Sequence, residues 1–447
     1  MLFKPKNQNQ LGFYSSFEEQ LNHQHPLYLL AGSINWQQFE DSFCSLYCSN
    51  NGRPAKPIRL MVSLLILKHL RNLSDESVVE QWAENSYYQY FSGEKMFSCG
   101  SPCEASELVH FRNRIGTKGI EQILQESIRI NGKDAEDKDV SVDTTVQEKN
   151  ISFPTDDKLY KKIIAKCHQI VQEEELPTRQ SYTRTLKKLS YTQRFKHHPK
   201  NKSKAKKADK KVKTIAGRLV RELERNITPS STYQADINLF KKVLAQQKTD
   251  SNKIYSLHEP DVQCIAKGKE HRKYEFGNKV SLVYTQNTGV IIGATSFRNE
   301  YDGHTLTLAL KQVKKLLGKS PQTATVDRGY KGNTKIGETQ ILMPKPFNKT
   351  RLSKYQQTKL KKHFRRRAAI EPTIGHLKSN YRLKRNFYKG IIGDELNVIL
   401  SAAAFNFKRM MNKWKAVFLY FLQNIFIMIK NLCFIQTNII LKLKMAF

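Results

Sequence analysis

Apolar residues recur at helical spacing in the first part of the chain. Residues 58–70 repeat them on one turn after another, and a second apolar face that includes Trp82 begins soon afterwards. Ser74 stands just before this second face and is a favoured N-cap residue. The apolar pattern of residues 54–120 therefore predicts two short helices joined by a tight turn. Such a pair can place a helix in the major groove of DNA, although most short helical hairpins only form core.

The hydrophobic period changes from helical to two over residues 139–146, which predicts a half-buried strand with Asp143 on one face. Two further strand-like runs, 279–284 and 290–295, are separated by the turn residues Thr-Gln-Asn-Thr-Gly. They predict a β-hairpin.

An amphipathic helix at 305–317 follows the hairpin, then a short strand at 323–326 that ends on Asp327, and then a mostly helical basic segment at 358–382. Strand, hairpin, helix, strand and helix around one sheet is the order of a ribonuclease H-like core. Here that core is interrupted after its first strand. The predicted fold class is a mixture of α and β structure, because both helices and strands contribute to the core.

Charge adds the first hint of a partner. The chain of 447 residues carries 75 Lys and Arg against 40 Asp and Glu, a formal net charge of +35. An excess of this size indicates a polyanion before a membrane or an acidic metabolite, and nucleic acid is the obvious one. Composition alone leaves an RNA-binding or ribosome-associated protein, or simple solubility, as alternatives.

Residues 155–250 are polar and helical in pattern, and within them residues 196–213 carry nine lysines and a single acid, Asp209. This run is typical of a solvated, partly disordered arm or a linker between helices. Seven cysteines and the lack of a signal peptide fit a reducing cytoplasm. The apolar run at 416–429 is short of the ~20 residues that span a bilayer, which favours packing or self-association and leaves an interfacial helix possible.

One carboxylate stands alone in the basic region near the C-terminus. Glu371 is the single acid between Glu338 and Asp394, among fifteen Lys and Arg from 345 to 389. A salt bridge to Arg367 and a catalytic role are equally good interpretations of it. On a continuous helix Glu371 would share a stripe with Phe364, Arg367 and Lys378, although Pro372 would alter that stripe if a helix began there.

Asp327 ends its strand and is followed by Arg328-Gly329-Tyr330, where the glycine permits a sharp turn. Asp143 and Asp327 on neighbouring strands, with Glu371 on an adjacent helix, could hold two Mg²⁺ ions for phosphoryl transfer. Asp139 is expected at the surface. Asp302 is expected to cap the following helix.

These motifs together resemble the DDE transposases of bacterial insertion sequences, particularly the insertion-sequence-five family, over nearly the whole chain. The final signature of that family, Tyr, Arg, Glu and Lys, is matched at Phe364, Arg367, Glu371 and Lys378, with phenylalanine in place of the tyrosine. The other motifs that carry the resemblance are Gly52-Arg53-Pro54, Asp143-Thr144-Thr145-Val146, Phe276-Gly277-Asn278-Lys279, Asp302-Gly303-His304-Thr305 and Asp327-Arg328-Gly329-Tyr330.

The resemblance implies an enzyme that binds the terminal inverted repeats of its element and joins the cut ends to target DNA. Asp143, Asp327 and Glu371 would be the catalytic metal ligands, with Mg²⁺ as cofactor and Mn²⁺ as a substitute. Contacts to double-stranded DNA are expected from four cations, Arg367, Lys378, Arg328 and Lys279. A homo-oligomer on DNA, associated with the nucleoid, is expected, and no dedicated membrane partner.

Five segments follow from these patterns. They are a helical DNA-binding domain (1–135), the first strand of the core (136–154), a basic helical insertion (155–270), the rest of the catalytic core (271–412) and an apolar tail (413–447). Two other functions remain open: a metal-dependent nuclease of the same fold that never joins DNA, and a catalytically inactive DNA-binding regulator.

Overall fold

The chain divides into two units that each hold their own core. The structure is a computed structural model, and it describes residues 16–48, 53–228, 232–266, 273–330, 332, 334–344 and 353–444. Gly52 of the first motif lies outside these residues. The first unit consists of Met1–Gln147, Lys279–Tyr388 and Ile392–Phe447, and the second of Glu148–Asn278 and Lys389–Ile391.

The first unit begins with helices, as the apolar spacing predicts. They are α1 (Phe17–Gln20), α2 (Pro26–Ser33), α3 (Trp36–Cys44), α4 (Ile58–Leu70), α5 (Asp75–Glu84), α6 (Ser86–Phe91) and α7 (Ala105–Asn131), followed by a 3₁₀ turn (Gly132–Glu136). Ser74 caps α5, its side chain accepting the Ser77 amide at 3.0 Å, which confirms the predicted helix start. The helix α7 is kinked at Gly116.

A mixed sheet follows these helices in the first unit. Its strands are β1 (Asp139–Lys149), β3 (Tyr274–Thr285), β4 (Ile291–Phe297), β5 (Thr323–Thr325), β6 (Lys335–Ile336), β7 (Thr339–Leu342) and β8 (Arg385–Asn386). Their order is β4-β3-β1-β5-β7-β6, with β1 parallel to β5, β5 parallel to β7, and β3 antiparallel to β4. The predicted strand and hairpin are confirmed.

Four later helices complete the first unit: α12 (Asp302–Leu317), α13 (Lys354–Arg367), α14 (Ile370–Asn380) and most of α15 (Gly390–Lys444). One hydrophobic core contains residues from the early helices, the sheet and α15. Buried hydrogen bonds cross it as well, since His69 Nε2 lies 3.3 Å from Asn397 Oδ1 and Asn131 Nδ2 donates to the Asn406 carbonyl at 3.2 Å. That residues 1–135 act as a separate DNA-binding domain stays a prediction.

The second unit is built on four helices: α8 (Asp156–Glu173), α9 (Thr183–Gln193), α10 (Pro199–Asn226) and α11 (Gln234–Ala245). A short strand, β2 (Gln263–Ala266), pairs antiparallel with the first residues of β3. The core of this unit is separate from that of the first and includes Ile163, Leu219 and Phe240.

The lysine-rich run belongs to this helical unit, so the expectation of a disordered arm was wrong. Within α10, Ala205, Ala208 and Val212 are buried, while the lysines between them are exposed. The reason is spacing, because small apolar residues recur every three or four positions and give a lysine-rich segment one face that packs.

The C-terminal apolar run lies within α15. Over the portion of the chain that the structure describes, no helix is both long enough and apolar enough to cross a membrane.

Candidate active site

Asp143 lies on β1 and its side chain is 16% exposed. One carboxylate oxygen, Oδ1, accepts the backbone amide of Thr144 at 2.8 Å. The other, Oδ2, is 3.3 Å from Nη1 of Arg367, the last residue of α13. The backbone of β1 and a cation from α13 therefore fix both oxygens of this carboxylate.

The pKa of Asp143 depends on the other two predicted acids. Burial and, to a smaller extent, the negative charges of Asp327 and Glu371 raise the pKa of Asp143 to about 6, although the Thr144 amide and Arg367 oppose the rise. A like charge disfavours the ionised form of a carboxyl group. The charges of both other acids therefore act on Asp143.

Strand pairing explains why Asp143 and Asp327 meet. β1 and β5 are parallel, with Asp139 opposite Thr323 and Ser141 opposite Thr325. Two residues further along each strand direction stand Asp143 and Asp327, both half-buried. The parallel register delivers the two carboxylates to the same edge of the sheet.

Gly329 shapes the turn that carries Asp327. The Asp327 Oδ1 atom accepts the Gly329 amide at 2.8 Å. A Cβ atom added at Gly329 would lie 2.9 Å from that same oxygen, closer than such contacts are found. Only glycine lets the chain turn this tightly around the carboxylate without displacing it.

Glu371 is the second residue of α14 and is exposed. The helix start near Glu371 that Pro372 left open is present, because α13 ends at Arg367 and α14 begins at Ile370. Pro372 sits in the first turn of α14, where its missing N–H costs nothing. The stripe is thus split between two helices, and on α14 Glu371 and Lys378 still share a face two turns apart.

Asp302 is a fourth carboxylate at this edge, and its expected capping role was wrong. Tyr301 occupies the N-cap position of α12, and Asp302 is the first helical residue. Its Oδ1 pairs with Lys279 Nζ at 3.0 Å and its Oδ2 accepts the Thr144 hydroxyl at 3.1 Å. Lys279, which was expected to contact DNA, therefore neutralises Asp302 and also donates to the Glu300 carbonyl at 2.8 Å.

Tyr330 is a residue that sequence reasoning passed over, although it closes the Asp327-Arg328-Gly329-Tyr330 motif. Its side chain is 1% exposed. Burial raises the pKa of its hydroxyl, and the charges of Asp143, Asp302 and Asp327 add to the rise. A buried hydroxyl thus lies among the acids, while Arg328, its neighbour in sequence, is exposed.

A divalent cation fits the donor chemistry of this edge. Mg²⁺ prefers carboxylate oxygens, and a cation beside Asp143 would neutralise the negative charges of Asp327 and Glu371 that help to raise the pKa of Asp143. Among the residues that the structure describes, no three His, Cys, Asp or Glu side chains already surround one point closely enough to hold a metal. In their present arrangement Arg367 supplies the positive charge beside Asp143.

A sheet edge with clustered acids, ringed by Arg and Lys, defines a metal-dependent enzyme that acts on phosphate esters. Two family models agree: residues 245–407 match one described as "Transposase DDE domain", and residues 15–114 match one described as "Transposase domain (DUF772)". The first range contains Asp327 and Glu371. Asp143 lies outside both.

A relative from Rhizobium meliloti, described as "Uncharacterized protein ORF8 in nfe locus", is 39% identical over 183 residues, which is 40% of this chain and 88% of that protein. No solved structure matches the chain. The chain belongs to the DDE transposases of insertion sequences, and it is therefore a metal-dependent enzyme that cuts DNA.

Proposed function

We propose that this protein binds the ends of its own insertion sequence and catalyses strand cleavage and strand transfer with Asp143, Asp327 and Glu371. The observation that supports it best is the pKa of Asp143, which burial, Asp327 and Glu371 together raise to about 6. The parallel register of β1 and β5 supports a common site for Asp143 and Asp327, and the charge of Glu371 also acts on Asp143. A divalent cation bound there would relieve the repulsion among the three acids.

The three carboxylates would hold two divalent ions, Mg²⁺ in the cell with Mn²⁺ as a substitute. Bound there, these ions supply Lewis-acid chemistry that activates a water or a 3′-hydroxyl and stabilises the departing oxygen. Asp143 is held for this task by the Thr144 amide, and Asp327 by the Gly329 amide. Each backbone donor fixes one oxygen of its carboxylate, and at Asp143 a bound ion would take the place of Arg367 beside the second oxygen.

The cations of this edge divide into two roles. Arg328 is exposed next to Asp327, and Lys378 shares the face of Glu371, so both are positioned to bind phosphates that flank the scissile bond. Arg367 neutralises Asp143 and is proposed to contact DNA when that charge is compensated otherwise. Lys279 is proposed to act mainly through Asp302, which it orients.

The finer architecture is part of the same proposal. The order β4-β3-β1-β5-β7 supports a ribonuclease H-like core. The N-terminal helices are proposed to read the terminal repeats, and the basic helices between 155 and 270 to form an insertion in that core. We further propose membership in the insertion-sequence-five family, assembly as a homo-oligomer on DNA, and a cytoplasmic, nucleoid-associated location.

Conservative substitution of the three acids tests the mechanism. Asp143→Asn, Asp327→Asn and Glu371→Gln each remove a negative ligand and nearly preserve shape, so each should abolish cleavage and joining while DNA binding persists. Because the three act as one unit, double variants should be little worse than single ones. The measurement is strand cleavage and 3′-end joining on a labelled terminal-repeat DNA in Mg²⁺, Mn²⁺ and Ca²⁺.

The outcomes separate the candidate functions. Cleavage without joining would favour a nuclease, and terminal-repeat binding by a wild type that does not cleave in any metal would favour an inactive regulator. Metal-dependent cleavage by a folded single variant would remove that residue from the mechanism. Cleavage by all three variants would exclude the three-acid mechanism altogether.

A further inference from the structure

Helix α9 of the second unit presents an outward face that combines cations with aromatic rings. Tyr191 is 67% exposed and Phe195, four residues later, is 56% exposed. At about 100° per residue, Arg184, Lys187, Lys188 and Tyr191 fall within an arc of roughly 100° on this helix, and Arg194 and Phe195 follow in the turn after its last residue, Gln193. We call this set the basic-aromatic face: Arg184, Lys187, Lys188, Tyr191, Arg194 and Phe195.

The inward side of α9 fixes this orientation. Leu186 and Leu189 pack against the core of the second unit. Gln193 is buried, and its Nε2 donates to Asp157 and to Asp209 at 2.6 Å each. Since Gln193 lies about 160° around the helix from Tyr191, these bonds hold the Tyr191 ring outward. The face is therefore a consequence of packing.

Positive charge alone accounts for only part of this surface. The sequence of α9 contains no acid, so its exposed cations have no anion on their own helix and can bind phosphates. Large rings at this exposure need an apolar or π partner. A strand of nucleic acid with unpaired bases provides both, because its phosphates bind the cations and its bases stack on the rings.

We infer that the basic-aromatic face binds a DNA strand whose bases are unpaired. In a duplex the base faces are already stacked on one another, so the rings would find no partner and the cations alone would act. The inference rests on the proposed function, because staggered cleavage of the two strands at an element end leaves a stretch of unpaired bases. It names a substrate-binding surface in the second unit that includes none of the three acids.

Binding by the full-length protein in EDTA tests the inference without any cleavage. Three probes of equal length are compared at several salt concentrations: a single DNA strand, the same strand with an abasic run, and a duplex. Tyr191→Ser with Phe195→Ser should weaken binding to the single strand by about tenfold or more, and change binding to the other two probes by less than about twofold. Tyr274→Ser, at another exposed aromatic of the second unit, should have no effect.

A complementary pair of substitutions separates charge from stacking. Lys187→Gln with Lys188→Gln should weaken binding to all three probes alike, and should reduce the salt slope by about 0.7 for each single-strand phosphate that the variant no longer binds. As an independent reporter that keeps an aromatic ring, Tyr191→Trp should show fluorescence quenching by the single strand and not by its abasic form. Circular dichroism verifies that each variant is folded.

Three results would overturn the inference. The first is unchanged single-strand affinity in the double aromatic variant together with no quenching of Tyr191→Trp. The second is preferential binding of an RNA strand of the same sequence. The third is dissociation of an oligomer with no loss of strand affinity, which would make the face a contact between copies. All three probes are measured in EDTA without cleavage, so failure of the catalytic proposal is scored separately.

Discussion

The two units of this protein use their positive charge in different ways. In the first unit, buried Lys68 and Arg112 both pair with Asp75, at 2.8 and 2.7 Å. In the second, the lysines of α10 are exposed along one side of a helix whose other side is core. A cation of the first kind supports the fold, and one of the second kind is available to a partner.

This difference changes how the 75 Lys and Arg of the chain are to be counted. Some of them are already paired within the first unit, where Lys279 binds Asp302 and both Arg409 and Lys413 bind Asp134. Counting lysines therefore overstates the surface that is free to bind DNA. Substitutions in the two units should separate into effects on stability and effects on DNA affinity.

The largest effect is expected from Asp75→Asn. The Asp75 side chain is 15% exposed and accepts two hydrogen bonds from Arg112, at 2.7 and 3.0 Å, in addition to Lys68. The variant leaves two buried cations without their anion, so we expect a loss of about 3–5 kcal/mol in the free energy of unfolding. Urea denaturation of the full chain measures it.

The exposed pair of Lys319 and Glu136 serves as the control, with side chains 54% and 58% exposed. Glu136→Gln should change the free energy of unfolding by only about 0–1 kcal/mol. Equal losses in the two variants would mean that burial does not distinguish structural cations from surface ones.

The same residue makes a prediction about pH. Burial raises the pKa of Asp75, but Arg112 and Lys68 outweigh burial and hold the pKa below its ordinary value of 3.8. A depressed carboxyl pKa contributes stability above the unfolded value and loses it as pH falls through the folded value. Wild type should therefore lose this contribution as pH falls below about 4, and Asp75→Asn should lack that loss.

A smaller effect, on chemistry and not on folding, is expected from Gly329→Ala. The added Cβ would lie 2.9 Å from Asp327 Oδ1 and must displace the carboxylate or the turn. Misplacement of a reacting group by an ångström can cost about a hundredfold, so we expect cleavage to fall by about ten- to a hundredfold at nearly unchanged stability. Gly375→Ala on α14, where a Cβ meets nothing within 4 Å, is the matched control. Equal cleavage by both variants would mean that the turn at Gly329 does not affect catalysis.

Much of the first unit could be predicted from the sequence because local patterns determine it. The strand bearing Asp143, the hairpin, and the helix start at Ser74 each depend on a few adjacent residues. Arg367 pairs with Asp143, which lies 224 positions earlier in the chain. This pairing depends on how α13 packs, and no residue spacing in the sequence predicts it. Tyr330 was missed as a site residue for the same reason, and Asp302 was considered near the site but expected to cap its helix.

In the second unit, by contrast, the local sequence pattern indicated the wrong structure. Nine lysines within residues 196–213 suggested disorder because charge density outweighed the weak signal of Ala205, Ala208 and Val212. Alanine contributes little hydrophobic surface, yet it lets α8 and α9 approach α10 closely. The high helix propensity of Ala and Lys, together with the packing of this small-residue stripe, accounts for the helix.

The smallest effect on stability is expected from the exposed lysines of α10. Lys206→Gln, Lys210→Gln and Lys213→Gln together remove three positive charges from its solvent side, so unfolding should change by no more than about 0.5 kcal/mol. If each lysine binds a phosphate, the slope of log affinity against log salt should flatten by about 0.9 per lysine for duplex DNA, equally for terminal-repeat and unrelated sequences. Fluorescence anisotropy across a salt series measures both slopes.

Lys241→Gln, at a lysine of the same unit that is paired with Glu224, should leave the slope unchanged. A reduction confined to the terminal repeat would mean that α10 reads sequence, and an unfolding loss as large as that of Asp75→Asn would remove the distinction between the two units.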